Sequence, residues 1–170
     1  MLEIRPSEAV IAACHAAPAA LDELPAALGL VLRIAPDEAW VLARRARRAG
    51  LVRALEAWLA SADRHGVVVD QTDGWTLFDL RGPEALELFG RLSVTAAPAT
   101  LPALVQGALS GVAGKAWFAA DGGICLMVPA PVGHHLAARL RAVGSDLELA
   151  MLEPEAFRLD GRDSLERERS

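Results

Sequence analysis

The chain has 170 residues, 53% hydrophobic and 23% charged, with a net charge of −5 and a mean hydropathy of +0.28. It is too apolar for a disordered chain and too acidic for a general nucleic-acid or anionic-membrane binder, and its length suits one domain or at most two very small ones. No apolar run approaches the roughly 20 residues of a membrane span, and Met1–Arg5 does not open a signal peptide, so a cytoplasmic protein is expected. The apolar content is mostly small, with 34 Ala and 26 Leu against 4 Phe, 4 Trp and no Tyr. Lys115 is the one lysine beside the arginines, which fits a GC-rich coding bias. Cys14 and Cys125 lie far apart and read as buried reduced thiols.

Residues 6–27 are rich in Ala and Pro. Pro6 is placed to open a short helix over Ser7–Cys14, and His15 to Pro25 reads as an irregular or short helical wrap. Leu28 to Ile34 and Ala39 to Ala43 read as strands around the turn Ala35-Pro36-Asp37-Glu38. Leu51, Leu55, Trp58, Leu59 and Ala62 recur at helical spacing, which predicts a helix over Arg48 to Arg64 stopped by Gly66. Val67-Val68-Val69 reads as a short buried strand, Asp70 to Gly74 as a turn, and Trp75 to Leu80 as a strand. That strand alternates Trp75, Leu77 and Asp79 with Thr76, Phe78 and Leu80. Gly82-Pro83-Glu84 opens a helix with Leu86, Phe89, Gly90 and Leu92 on its face.

Ser93 to Pro102 is expected as a loop and Ala103 to Ala119 as one long strand broken by glycines. Asp121-Gly122-Gly123 turns the chain into a strand over Ile124 to Val128; a helix over Val132 to Val143 and a last strand over Leu147 to Leu152 follow. The organisation expected is an N-terminal wrap over 1–27, one domain over 28–152, and a charged tail over 153–170 that is frayed or docked on a partner. The fold class is α+β, with a mixed or antiparallel sheet of hairpins and packed helices.

Chemistry is sparse in this pattern. His134 and His135 point apart on a helix and have no ligand partner at i+3 or i+4, so no metal site is expected. No Gly-x-Ser-x-Gly is present, and Cys125 sits in the apolar run Ile124-Cys125-Leu126-Met127. The glycines from Gly107 to Lys115 lack the spacing of a phosphate loop. Asp37-Glu38 and Asp70 with Asp73 read as turn caps. The run Arg44, Arg45, Arg47, Arg48 reads as a solvated helix start or as the complement of an acidic partner surface. Half the aromatics are Trp, and Trp and Arg dominate binding hot spots. Arg44, Arg45, Arg48, Trp40 and Trp75 are therefore the candidate partner-interface residues, and no catalytic, cofactor-binding or metal residue is assigned.

Three segments carry a resemblance. Ile34 to Leu42 resembles the Gly-Pro-Asp-Glu-Trp hairpin of folate-binding, glycine-cleavage T-protein-like domains. Val69 to Gly74 resembles their Val-Asp strand end, and Phe78 to Ala85 their Gly-Pro strand-to-helix turn. The resemblance covers roughly residues 28–143, and the short length is nearest to the gamma subunit family of heterotetrameric sarcosine oxidase. It implies a T-protein-like fold and a small non-catalytic subunit in a heterotetramer with larger alpha and beta subunits. It also implies that FAD, FMN, NAD and tetrahydrofolate belong to those partners, which demethylate an N-methyl amine and pass on the one-carbon unit. Two other readings remain: a stand-alone folate or pterin binder using Asp70 or Asp79, and a scaffold or regulatory module.

Overall fold

The computed structural model describes residues 1–157, and residues 158–170 of the expected tail lie outside them. Its elements are β1 (Leu2–His15), α1 (Pro18–Asp22), β2 (Leu30–Ala35), β3 (Glu38–Arg44), α2 (Arg48–Ala62), β4 (Val67–Asp70), β5 (Trp75–Arg81), α3 (Ala85–Leu92), β6 (Ala103–Leu109), β7 (Val112–Phe118), β8 (Ile124–Pro129), α4 (Gly133–Val143), β9 (Leu149–Met151) and β10 (Glu155–Ala156). The class is α+β with a largely antiparallel sheet, as expected.

The start of the chain corrects the sequence reading. No helix forms over Ser7–Cys14; the whole stretch lies in β1. Ala favours helix by only ~0.7 kcal/mol per residue over most alternatives. Here Val10 and Ile11 are β-branched, and Ala12 to His15 pair on one edge with β3 and on the other with β4. Two ladders outweigh that local preference. The structure divides into two units, 1–7 with 73–155, and 8–72 with 156–157, so β1 contributes its first part to one and its second part to the other.

In the first unit β5 pairs antiparallel with β1, in register Glu3 with Arg81 and Ser7 with Leu77. The sheet continues β5-β8-β7-β6, all antiparallel, and β9 runs parallel to β1 over Leu2–Ile4. Pro6, which has no N–H to give, falls beyond that parallel stretch. The expected alternation of β5 holds: Phe78 and Leu80 face a core with Leu2, Ile4, Leu126, Phe118 and the helices' Leu88, Phe89, Leu136 and Leu140. The helix α3 starts at Ala85, after Gly82-Pro83-Glu84, so its buried face is Ala85, Leu88, Phe89 and Leu92. Leu86 and Gly90, expected on that face, are exposed. The single broken strand expected over 103–119 is a hairpin instead, turning at Ser110 (φ 49) and Gly111 (φ 82). A two-residue loop of type I′ needs positive φ at both positions, and Ser110-Gly111 supplies it.

In the second unit the order is β2-β3-β1-β4, all antiparallel. Val10, Ala12, Cys14, Val41 and Ala43 pack against Leu51 and Leu55 of α2. Ala12, Ala39 and Ala43 of β1 and β3 present small side chains to that core. The strand β4 is not the buried one expected, since Val67 and Val69 are 55% and 41% exposed. Nor do β4 and β5 form a hairpin; each pairs with β1. Beyond β4, Gln71 N–H donates to the Ile11 carbonyl, and the Thr72 hydroxyl accepts from Ile11 N–H at 3.1 Å. Thr72→Val keeps the shape and leaves that buried N–H unpaired, so a loss of about 1–3 kcal/mol is expected in urea unfolding. An unchanged midpoint would mean that the hydroxyl is replaced by water. The segment expected as tail begins ordered, with Phe157 buried and its N–H donating to the Glu8 carbonyl.

Candidate functional site

The arginine run sits where β3 hands over to α2. Arg44 ends the strand, Arg45–Arg47 form one 3-10 turn, and Arg48 begins the helix. The helix has no acidic residue in its first turn and no side-chain cap. Cations are unfavourable at that positive end of the dipole. Arg48 offsets this by donating from Nε to Asp70 at 2.6 Å. Asp70 also accepts the Thr72 N–H at 3.0 Å. Burial works to raise the Asp70 carboxyl, but the hydrogen bonds from Thr72 and Arg48 outweigh it and hold the group below the ordinary aspartate range. Arg45 and Arg47 are exposed. The result is a contiguous arginine run at the β3–α2 junction, in which Arg48 is paired with Asp70.

Trp40 is in the same unit and is buried, with 2% exposure, its Nε1–H donating to Glu38 Oε1 at 2.7 Å. Buried this deeply it is a core anchor, not the exposed interface side chain expected. Trp75 lies in the other unit, half-buried, with the Lys115 ammonium 4.6 Å from its ring centroid. Arg44, Arg45 and Arg48 thus follow closely along the chain from β3 into α2, Trp40 is buried in β3 of the same unit, and Trp75 lies in the other unit.

A second feature escaped the sequence reading. Register aligns Arg5, Asp79, Cys125 and Trp117 in one row across β1, β5, β8 and β7. Directly paired residues share a face, and this face is opposite the apolar core. Arg5 pairs with Glu155. Asp79 is 8% exposed and hydrogen-bonds the Cys125 thiol. Alternation in β5 placed Asp79 opposite Phe78 and Leu80; only the strand order reveals its neighbours.

Burial first, and then Asp79, push the Cys125 thiol well above its usual range. Burial alone pushes Cys14 up to about 11. Both are free, buried thiols. A thiol reacts as thiolate, so neither is expected to react with a thiol-specific reagent at neutral pH until the chain unfolds. Rapid labelling of the folded protein would contradict that. Asp70 and Asp79, the carboxylates of the folate-binder reading, are engaged with Arg48 and Cys125 respectively. Among the described residues, no group of three His, Cys, Asp or Glu side chains is placed to hold a metal ion.

No family model and no curated protein matches the chain. Solved structures do. A chain of the heterotetrameric sarcosine oxidase from Corynebacterium sp. U-96, solved with pyrrole 2-carboxylate, aligns at a TM-score of 0.74 and 19% identity, over 89% of this chain and 87% of that one. The fold is T-protein-like. The glycine cleavage system aminomethyltransferase T from Bartonella henselae aligns at a TM-score of 0.65 and 13% identity, over 89% of this chain but only 47% of that one. At these identities the likeness establishes the T-protein-like fold and no residue roles.

Proposed function

We propose that the chain is a non-catalytic, gamma-like small subunit of a heteromeric flavin-dependent sarcosine or N-methyl amine oxidase or dehydrogenase. In this reading the larger alpha and beta subunits carry the FAD, FMN, NAD and tetrahydrofolate sites, and the complex feeds one-carbon transfer. The observation that carries it is the nearly end-to-end alignment with a chain of a heterotetrameric sarcosine oxidase, against half-coverage of the aminomethyltransferase. The neutral, buried thiols and the charge-paired Asp70 suit a structural role. The arginine run with Arg44, Arg45 and Arg48 is the candidate contact with an acidic partner surface.

The purified chain alone is expected to turn over no N-methyl amine and to release no heat with tetrahydrofolate. Heat of binding would favour the stand-alone folate reading, and turnover would overturn a non-catalytic role. Arg44→Glu with Arg45→Glu is expected to slow assembly with the partner subunits by on the order of tenfold at low salt, and less at high salt. Assembly at the wild-type rate would remove this run from the interface.

A further inference from the structure

The sheet of the first unit ends at β6. Leu109 and Val112 flank the two-residue loop Ser110-Gly111 and so form its closing hydrogen-bonded pair. Alternation along the ladder then turns the N–H and C=O of Leu104 away from β7, toward the outer edge. The far end of that edge is covered: Ser93 bridges Leu109, and Ser110 N–H donates to the Leu92 carbonyl. No strand among the described residues pairs with the other end, Ala103–Val105.

Edge strands are ordinarily guarded by charge, proline or a bulge. Within β6 itself there is no charge and no proline; Pro102 directly precedes it. The 23 residues between Arg91 and Lys115 carry no charge at all, in a chain that is 23% charged. Within that stretch Val94 is 93% and Leu101 46% exposed. Charge depletion with exposed apolar side chains is the composition of an interface core, not of open surface.

We propose that the outer edge of β6 at Ala103–Val105, with Val94 and Leu101 on the loop leading into it, receives an extended, uncharged apolar segment of a partner subunit as an added strand. An unpaired edge selects extended backbone. The uncharged stretch 92–114 that forms and leads into this edge is matched by an uncharged occupant. The chain's own residues 158–170 are a poor fit, since eight of those thirteen are charged. The proposal rests on the subunit reading for the existence of a partner of different sequence.

The test uses the full chain purified with its flavin-bearing partners. Hydrogen exchange is compared between the complex and the isolated chain over the peptide containing Leu104. Exchange slowed by on the order of tenfold or more in the complex is expected. Val94→Glu with Leu101→Glu, both exposed, and separately Leu104→Pro, which removes the outward N–H, are expected to lower partner retention on the order of tenfold. Unchanged circular dichroism would exclude unfolding as the cause. If the wild type retains its partners while both variants retain them equally and Leu104 gains no protection, the edge proposal falls and the subunit reading stands. If the wild type retains no partner, both fall. If the isolated chain is a dimer that the variants dissolve, the occupant is a second copy and the proposed heterologous strand is wrong.

Discussion

Replacing Phe89 by Ala is expected to cost about 3–5 kcal/mol of stability, the largest effect of any single truncation in the first unit. Phe89 is fully buried in α3, and its ring meets Phe118 of β7 edge-on, with centroids 4.8 Å apart and planes at 83°. The truncation removes the aromatic pair and leaves a cavity among Leu88, Leu92, Leu136 and Leu140, whose backbones lie on two helices that cannot collapse far into it. Urea unfolding reads the loss directly. A cost below about 1.5 kcal/mol would mean that the site repacks freely.

Gly82→Ala is expected to cost roughly 2–4 kcal/mol from positive-φ strain and steric conflict together. Gly82 has φ +118, and a Cβ there would stand 2.6 Å from the Met1 carbonyl oxygen and 3.2 Å from Leu2 Cα. Both obstacles are backbone, at and just before the first residue of β1, so relief requires moving the start of a strand that pairs with β5 and β9. Gly122 provides the control: its φ is +85, but nothing lies within 4 Å of an added Cβ. Gly122→Ala therefore carries the conformational cost alone, about 1 kcal/mol. Equal losses at the two positions would refute the close approach of Met1 to the corner.

The Gly82-Pro83 corner also explains what could be read in advance. Turn residues and alternation located β2, β3, β5, β8, α2 and α4 closely, because each rests on local chemistry: Pro36-Asp37 for one turn, Asp121-Gly122-Gly123 for another, the leucine spacing for α2. The failures are of another kind. Ala9 to Cys14 has a helix-former's composition and becomes a strand, because β3 and β4 come to it from residues 25 or more positions away. The hairpin of β6 and β7 was hidden by its glycines, which read as bends along one strand; Ser110-Gly111 was the local signal for a turn. The register of α3 slipped because the helix starts two residues after Pro83. Of the site, the arginine cluster was legible as a contiguous run. The row Arg5, Asp79, Cys125, Trp117 was not, since only the strand order assembles it.

The most direct test of the subunit reading is purification of the tagged chain from its native cell under non-denaturing conditions, followed by a visible absorbance scan of what elutes with it. The account predicts a yellow species with flavin bands and larger subunits in fixed proportion to this chain. A colourless species containing this chain alone would contradict it.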